Sequence, residues 1–188
     1  QQAGCNKAIP HVAARNIQSE KELDNFVKFC KAKGINKALV IGGSIARNKT
    51  NIFQNDVAVA TILKSANIKV DCGIYPQNET ELEIKTKLSI FNNAITQLCM
   101  DENAINRLPL LDTIRIGVPS MCSVKGIYKY LKLCGNDSYK YIFKNYKALN
   151  YLDHNGIRVD KFIQKLKFSN YHIYNFGKLD KTINKLLM

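Results

Sequence analysis

The chain has no apolar run long enough to cross a bilayer, no Pro/Gly/Ser tract and no low-complexity segment, which leaves a soluble, globular protein as the expectation. Its opening, QQAGCNKAIPH, has no basic stretch leading into an apolar one, so no secretory signal is expected. It has no initiator Met either, and the chain is expected to begin mid-protein. None of its six cysteines forms a C-x-x-C pair or joins a His at zinc spacing, which argues against a metal site. Cys30, Cys72 and Cys99 sit instead among apolar residues, the setting of small buried hydrophobes in a reducing cytoplasm. The run IGGSIA lacks the G-x-G-x-x-G spacing of a dinucleotide fingerprint, which counts against an open Rossmann domain.

Acidic residues are also scarce. The 28 Lys+Arg outnumber the 15 Asp+Glu, for a net charge of +13. Such an excess suits a nucleic-acid surface, an anionic membrane or an acidic ligand. The lysines are interleaved with Asn and Ile along the whole chain, without a dense basic block or a basic helix face with stacking aromatics. No nucleic-acid partner and no membrane partner is therefore expected.

What is present is a repeating alternation, expected to fold as one domain over 1–188. An apolar run from Ile9 to Ala14 reads as a strand. Ser19 and Glu22 then form a capping box for a helix whose stripe is Leu23, Phe26, Val27 and Cys30, with Gly34 as its stop. The second strand runs from Lys37 to Gly43 and is apolar throughout, as in a strand buried on both faces. A helix drawing on Val57 to Leu63 follows it, then a third strand from Lys69 to Ile74. The next helix starts near Glu79, with Leu82, Lys85, Leu88 and Phe91 on one face. Strands over Asn93–Cys99, Asp112–Val118 and Asn170–Phe176 complete six. Between the last two lie helical stretches from Ser123 to Gly135, from Asp137 to Asn150 and from Gly156 to Lys167, and a helix ending LDKTINKLL closes the chain. Strict alternation implies a parallel sheet with right-handed crossovers, either open or closed into a barrel. An eight-stranded barrel takes roughly 250 residues, so if the sheet closes, the six units make an incomplete (β/α)8 barrel of the TIM type, with two units missing.

The strand ends carry IPHVAAR, LVIGGSIAR, GIYPQNE, AITQLCMD, IRIGVPSMCSVKGIYKYLKLCG and YHIYNFG, in that order. This co-linear set resembles the methylenetetrahydrofolate reductase family, in its shorter, divergent bacterial branch, and covers barrel units three to eight. The resemblance implies a cytoplasmic enzyme that uses FAD to pass a hydride from NADH or NADPH to methylenetetrahydrofolate. The family's catalytic Glu belongs to the first units, which have no counterpart here, so no catalytic residue is assigned.

The same resemblance assigns cofactor-binding roles to His11, Arg15, Ile41, Gly42, Gly43, Ser44, Tyr75, Lys87 and Tyr174, and a substrate-binding role to Gln97. Read from the residues alone, His11 also fits a hydrogen-bonded barrel His, Gly42 and Gly43 a tight turn, Tyr75 and Pro76 a loop start, Lys87 a solvated cation, and Gln97 a core amide. An amide at a barrel end also matches the donor and acceptor edge of a pterin. The family's Asp after the Gly pair is Ser44 here, and its His after the Tyr-Pro turn is replaced by Glu79. A catalytically impaired folate-binding or regulatory barrel remnant without redox activity is thus the second expectation. Six units leave sheet edges open, so a homo-oligomer is expected.

Overall fold

The computed structural model describes residues 8–43, 53, 55–120, 123, 125, 151–153 and 156–175. The expected helices from Ser123 to Gly135 and from Asp137 to Asn150 fall almost wholly outside these residues, as do the C-terminal helix, Ser44, Cys5, Cys122 and Cys134.

The architecture is α/β. Strands β1 (His11–Ala13), β2 (Lys37–Ile41), β3 (Lys69–Ile74), β4 (Asn93–Thr96), β5 (Ile114–Pro119) and β8 (Tyr171–Tyr174) form an all-parallel sheet in the order β1-β2-β3-β4-β5-β8. Helices α1 (Glu20–Ala32), α2 (Asp56–Ser65) and α3 (Glu81–Ile90) link the first four strands, and α4 (Glu102–Asn106) follows β4. The connection from β5 to β8 contains an antiparallel ribbon, β6 (Leu152–Asp153) with β7 (Gly156–Ile157), and the short helix α5 (Val159–Ile163). Contacts gather the chain into two units: Gln1–Gly73 with Leu82–Ala94, and Ile74–Glu81 with Ile95–Met188.

In the first unit the helix ends explain why the elements fall where they do. Ser19 caps α1, its Oγ accepting from Glu22 N at 3.1 Å, while Glu22 Oε2 accepts from Gln18 N at 2.8 Å. At the other end Ile35 N donates to Cys30 O at 2.8 Å and Gly34 N to Lys31 O at 3.2 Å. This paired closure needs a left-handed residue, which Gly34 supplies at φ 65°. Helix α2 repeats the device. Asn55 Oδ1 caps its start, and Asn67 at φ 63° ends it, with Ile68 N bonded to Leu63 O at 3.0 Å. Both helices thus stop shortly before the next strand begins.

Leu23 and Cys30 of α1, Val59, Ala60 and Leu63 of α2, and Ala38, Leu39 and Val40 of β2 are all buried, as the apolar patterns require. The stripe of α3 differs from expectation. Ile84 and Phe91 are buried and Leu82 is 75% exposed, so the inward face runs through Ile84, Lys87, Leu88 and Phe91. That set follows the i, i+3, i+4, i+7 spacing more closely than the set starting at Leu82.

In the second unit β4 ends at Thr96, three residues earlier than expected, and Leu98, Cys99 and Met100 continue as buried coil. Asp101 then caps α4, its Oδ1 accepting from Asn103 N and Ala104 N. The expected helix over 156–167 is shorter, because its first residues pair in the β6/β7 ribbon. Tyr151 ties α4 to α5: its hydroxyl donates to Glu102, and its ring meets Phe162 edge-on at 5.1 Å. Among the described residues no helix is long and apolar enough to cross a membrane.

Candidate cofactor and substrate sites

In the first unit the exits of β1 and β2 meet. Strand β1 runs into a single 3-10 turn, Ala14–Asn16, which turns Arg15 back over the end of β2. Both Arg15 N and Arg15 Nε donate to Gly42 O, each at 3.0 Å. A Cβ on Gly42 would stand 2.6 Å from Arg15 Nη2, so the bare backbone is the seat of the guanidinium. Gly43 is required twice over: its φ is 78°, and a Cβ there would come within 2.9 Å of Ala13 Cβ. Ile41 precedes this turn as the last residue of β2, half-buried. The Gly pair is therefore both a turn and a platform. The Arg15 Nη atoms have no protein partner among the described residues, which leaves a held guanidinium with donors to spare.

Lys87 lies on the inward face of α3, and its Nζ donates to Gly73 O at 3.2 Å, near the carboxyl end of β3. This places an ammonium near the exit of β3. His11 is different. It begins β1 rather than ending it, and its ring lines a cleft of about 210 Å³ with Asn16, Ile17, Glu22, Leu23 and Phe26. Its surroundings lower its pKa by desolvation, which favours the neutral imidazole.

In the second unit Tyr75 follows β3 directly, and its carbonyl accepts from Asn78 N and Glu79 N at 3.0 Å, closing the Tyr-Pro turn. The residue is 37% exposed. Gln97 follows β4 directly, and its N–H donates to Ile74 O at 2.7 Å. Tyr75, Pro76, Gln77, Asn78, Gln97, Leu98 and Cys99 line one recess of about 10 Å³, enough for a single water. The structure thus brings together the two residues assigned to the Tyr-Pro turn and the ITQ motif. The recess is a notch for one polar group and does not enclose a ring.

Tyr174 ends β8, and its hydroxyl donates to Thr96 O at 3.0 Å. His172 meets its ring edge-on at 4.8 Å. The hydroxyl of the aromatic assigned to the cofactor is thus engaged with the protein's own backbone. Thr96 and Gly117, its neighbours, were not singled out from the sequence. A Gly inside the apolar run IRIGV is the signal that marks a close backbone approach there.

Would these residues fit a flavin dinucleotide? The anionic diphosphate calls for cations at strand exits, and Arg15 with its unspent Nη atoms and Lys87 at Gly73 are of that kind. Among the described residues no group of three metal-ligating side chains occurs. No protein-family model and no curated protein matches the chain.

Proposed function

We propose that this chain is a methylenetetrahydrofolate reductase-like flavoprotein, built on units three to eight of a TIM-type barrel and acting in the cytoplasm. In this reading Arg15 and Lys87 face the FAD diphosphate, the Gly42–Gly43 backbone and Tyr75 lie beside the cofactor, and Gln97 receives the folate. FAD, when bound, carries the hydride from NADH or NADPH to the methylene carbon. The chain's own residues hold and orient: a fixed guanidinium neutralises phosphate charge, and an amide pairs with the pterin edge.

The observation that carries the reading is the meeting of Tyr75 and Gln97 at the exits of β3 and β4. Two motifs far apart in sequence, both assigned to ligand binding by the resemblance, line the same recess. The exits of parallel strands are also where barrel enzymes present ligand-binding groups.

The test is spectroscopic. The full-length protein purified from its host is expected to be yellow, with flavin absorbance, and to oxidise NADH or NADPH when methylenetetrahydrofolate is supplied. A colourless protein that oxidises neither would overturn the reading. Folate binding by such a colourless protein, seen by calorimetry, would instead support a barrel that binds folate without redox chemistry.

A further inference from the structure

We propose that Tyr174 is a positioning residue for Gln97, acting through the Thr96–Gln97 peptide rather than by contact with a cofactor. The geometry of that one peptide carries the inference. Its carbonyl oxygen, Thr96 O, accepts from the Tyr174 hydroxyl at 3.0 Å, and its N–H, on Gln97, donates to Ile74 O at 2.7 Å. Both ends of a rigid plane are thus held, by β8 on one side and β3 on the other. A plane fixed at both ends sets the position of the Gln97 Cα, from which the side chain departs.

Two further features belong to the same device. Thr96 is fully buried, and its Oγ1 accepts from Gly117 N at 2.7 Å, so the side chain of the residue before Gln97 is fastened to β5. Gly117 is what lets the ring of Tyr174 reach Thr96. A Cβ at Gly117 would lie 2.5 Å from Tyr174 Cε2 and 2.4 Å from Thr96 O, so any side chain there would displace the phenol, the peptide or both. The ring occupies the gap left by the missing side chain. Tyr174, Gly117 and Thr96 therefore work as one lock, and Gln97 is the first residue beyond it.

The ligand of Gln97 is taken from the folate reading, so the experiment separates the two ideas. Tyr174→Phe keeps the ring over Gly117 and removes only the hydroxyl. In the full-length chain, nuclear magnetic resonance is expected to show the Gln97 side-chain amide shifted and its backbone amide exchanging faster, with the melting temperature little changed. Binding of 5-methyltetrahydrofolate is expected to weaken by about five- to tenfold, the effect of one lost hydrogen bond. In a Gln97→Ala background the same substitution is expected to cost nothing further, because Tyr174 acts through Gln97. FAD affinity should be unaffected. Thr96→Val, which removes the Gly117 acceptor, should shift Gln97 in the same way, and Thr96→Ser should restore it. An unmoved Gln97 resonance in Tyr174→Phe, or equal weakening with and without Gln97, overturns the proposal. Shifted resonances in a protein that binds no folate would overturn the function and uphold the lock.

Discussion

Asp71, in the third position of β3, is 1% exposed, and Lys37, the first residue of β2, places its Nζ 2.8 Å from the Asp71 Oδ2. The other carboxylate oxygen accepts from Asn93 Nδ2, at the start of β4, at 2.7 Å. One buried charge thus joins the amino ends of three neighbouring strands, away from the exits that carry the candidate sites. Removing one partner of such a pair strands the other. Asp71→Ala is expected to destabilise the fold by about 3 kcal/mol, the low end for a broken buried pair because Lys37 keeps some access to water. Chemical denaturation checks this, and activity per folded molecule should be unchanged.

The glycines separate by what surrounds them. Gly34 has φ 65° with nothing within 4 Å of its missing Cβ, so Gly34→Ala is expected to cost only the left-handed backbone, about 1 kcal/mol. Gly43 has φ 78° and Ala13 Cβ at 2.9 Å, so Gly43→Ala adds a steric clash and should cost clearly more. Equal melting temperatures for the two variants would contradict the role given to the β2 exit. Asn67→Gly, at φ 63°, should be close to neutral.

The periodic part of this fold was readable from the residues. β3 runs from Lys69 to Ile74 as expected, and the caps at Ser19 and Gly34 are where the capping signals stand. Helix α3 was assigned the wrong face because Leu82 precedes the inward stripe by two residues, and a near-even scatter of Leu, Ile and Lys gives no dominant side. The fate of Asp71 was not read from the sequence. A carboxylate inside the run KVDCGI needs a partner, and that partner, Lys37, is fixed only by strand register. Tyr174 illustrates the same limit. Its position at the strand end was legible, whereas its bond to Thr96, two strands away, depends on a gap at Gly117 in the neighbouring strand.

Cys99 is buried, and burial pushes its thiol from the ordinary 9.0 up to about 12. In the native protein Cys99 should therefore resist thiol reagents at pH 8, since the thiolate is the reactive form, and should label only on unfolding. The folded state holds this proton more tightly than the unfolded one. The stabilisation is present below pH 9.0 and is lost as the pH rises from there towards about 12. Denaturation across that range, compared with Cys99→Ala, measures it.

His11 shifts the other way. Desolvation lowers its pKa below 6.5, so between the two values the unfolded chain takes up a proton that the folded chain refuses. Its contribution to stability is intact above pH 6.5 and declines as the pH falls below it. Replacing His11 with Asn should flatten this part of the pH–stability curve. A resonance titration that places the His11 pKa at or above 6.5 would contradict the sign.

The Arg15 seat can be tested without knowing the natural ligand. Nε and the backbone N–H both donate to Gly42 O, which leaves the Nη edge of the guanidinium pointed and unspent. A Lys in the same place has one nitrogen for both tasks: bonded to Gly42 it presents no fork, and released from Gly42 it loses its orientation. Arg15→Lys is therefore expected to weaken pyrophosphate binding by about tenfold while preserving net charge, with little loss of stability. Gly42→Ala should produce a similar loss by displacing Nη2, which stands 2.6 Å from the new Cβ. Calorimetry at low ionic strength resolves the difference, because exposed charge contacts are screened within about 10 Å at 0.1 M salt. If wild type and Arg15→Lys bound pyrophosphate equally, charge alone would account for the binding and the Gly42 seat would have no part in it.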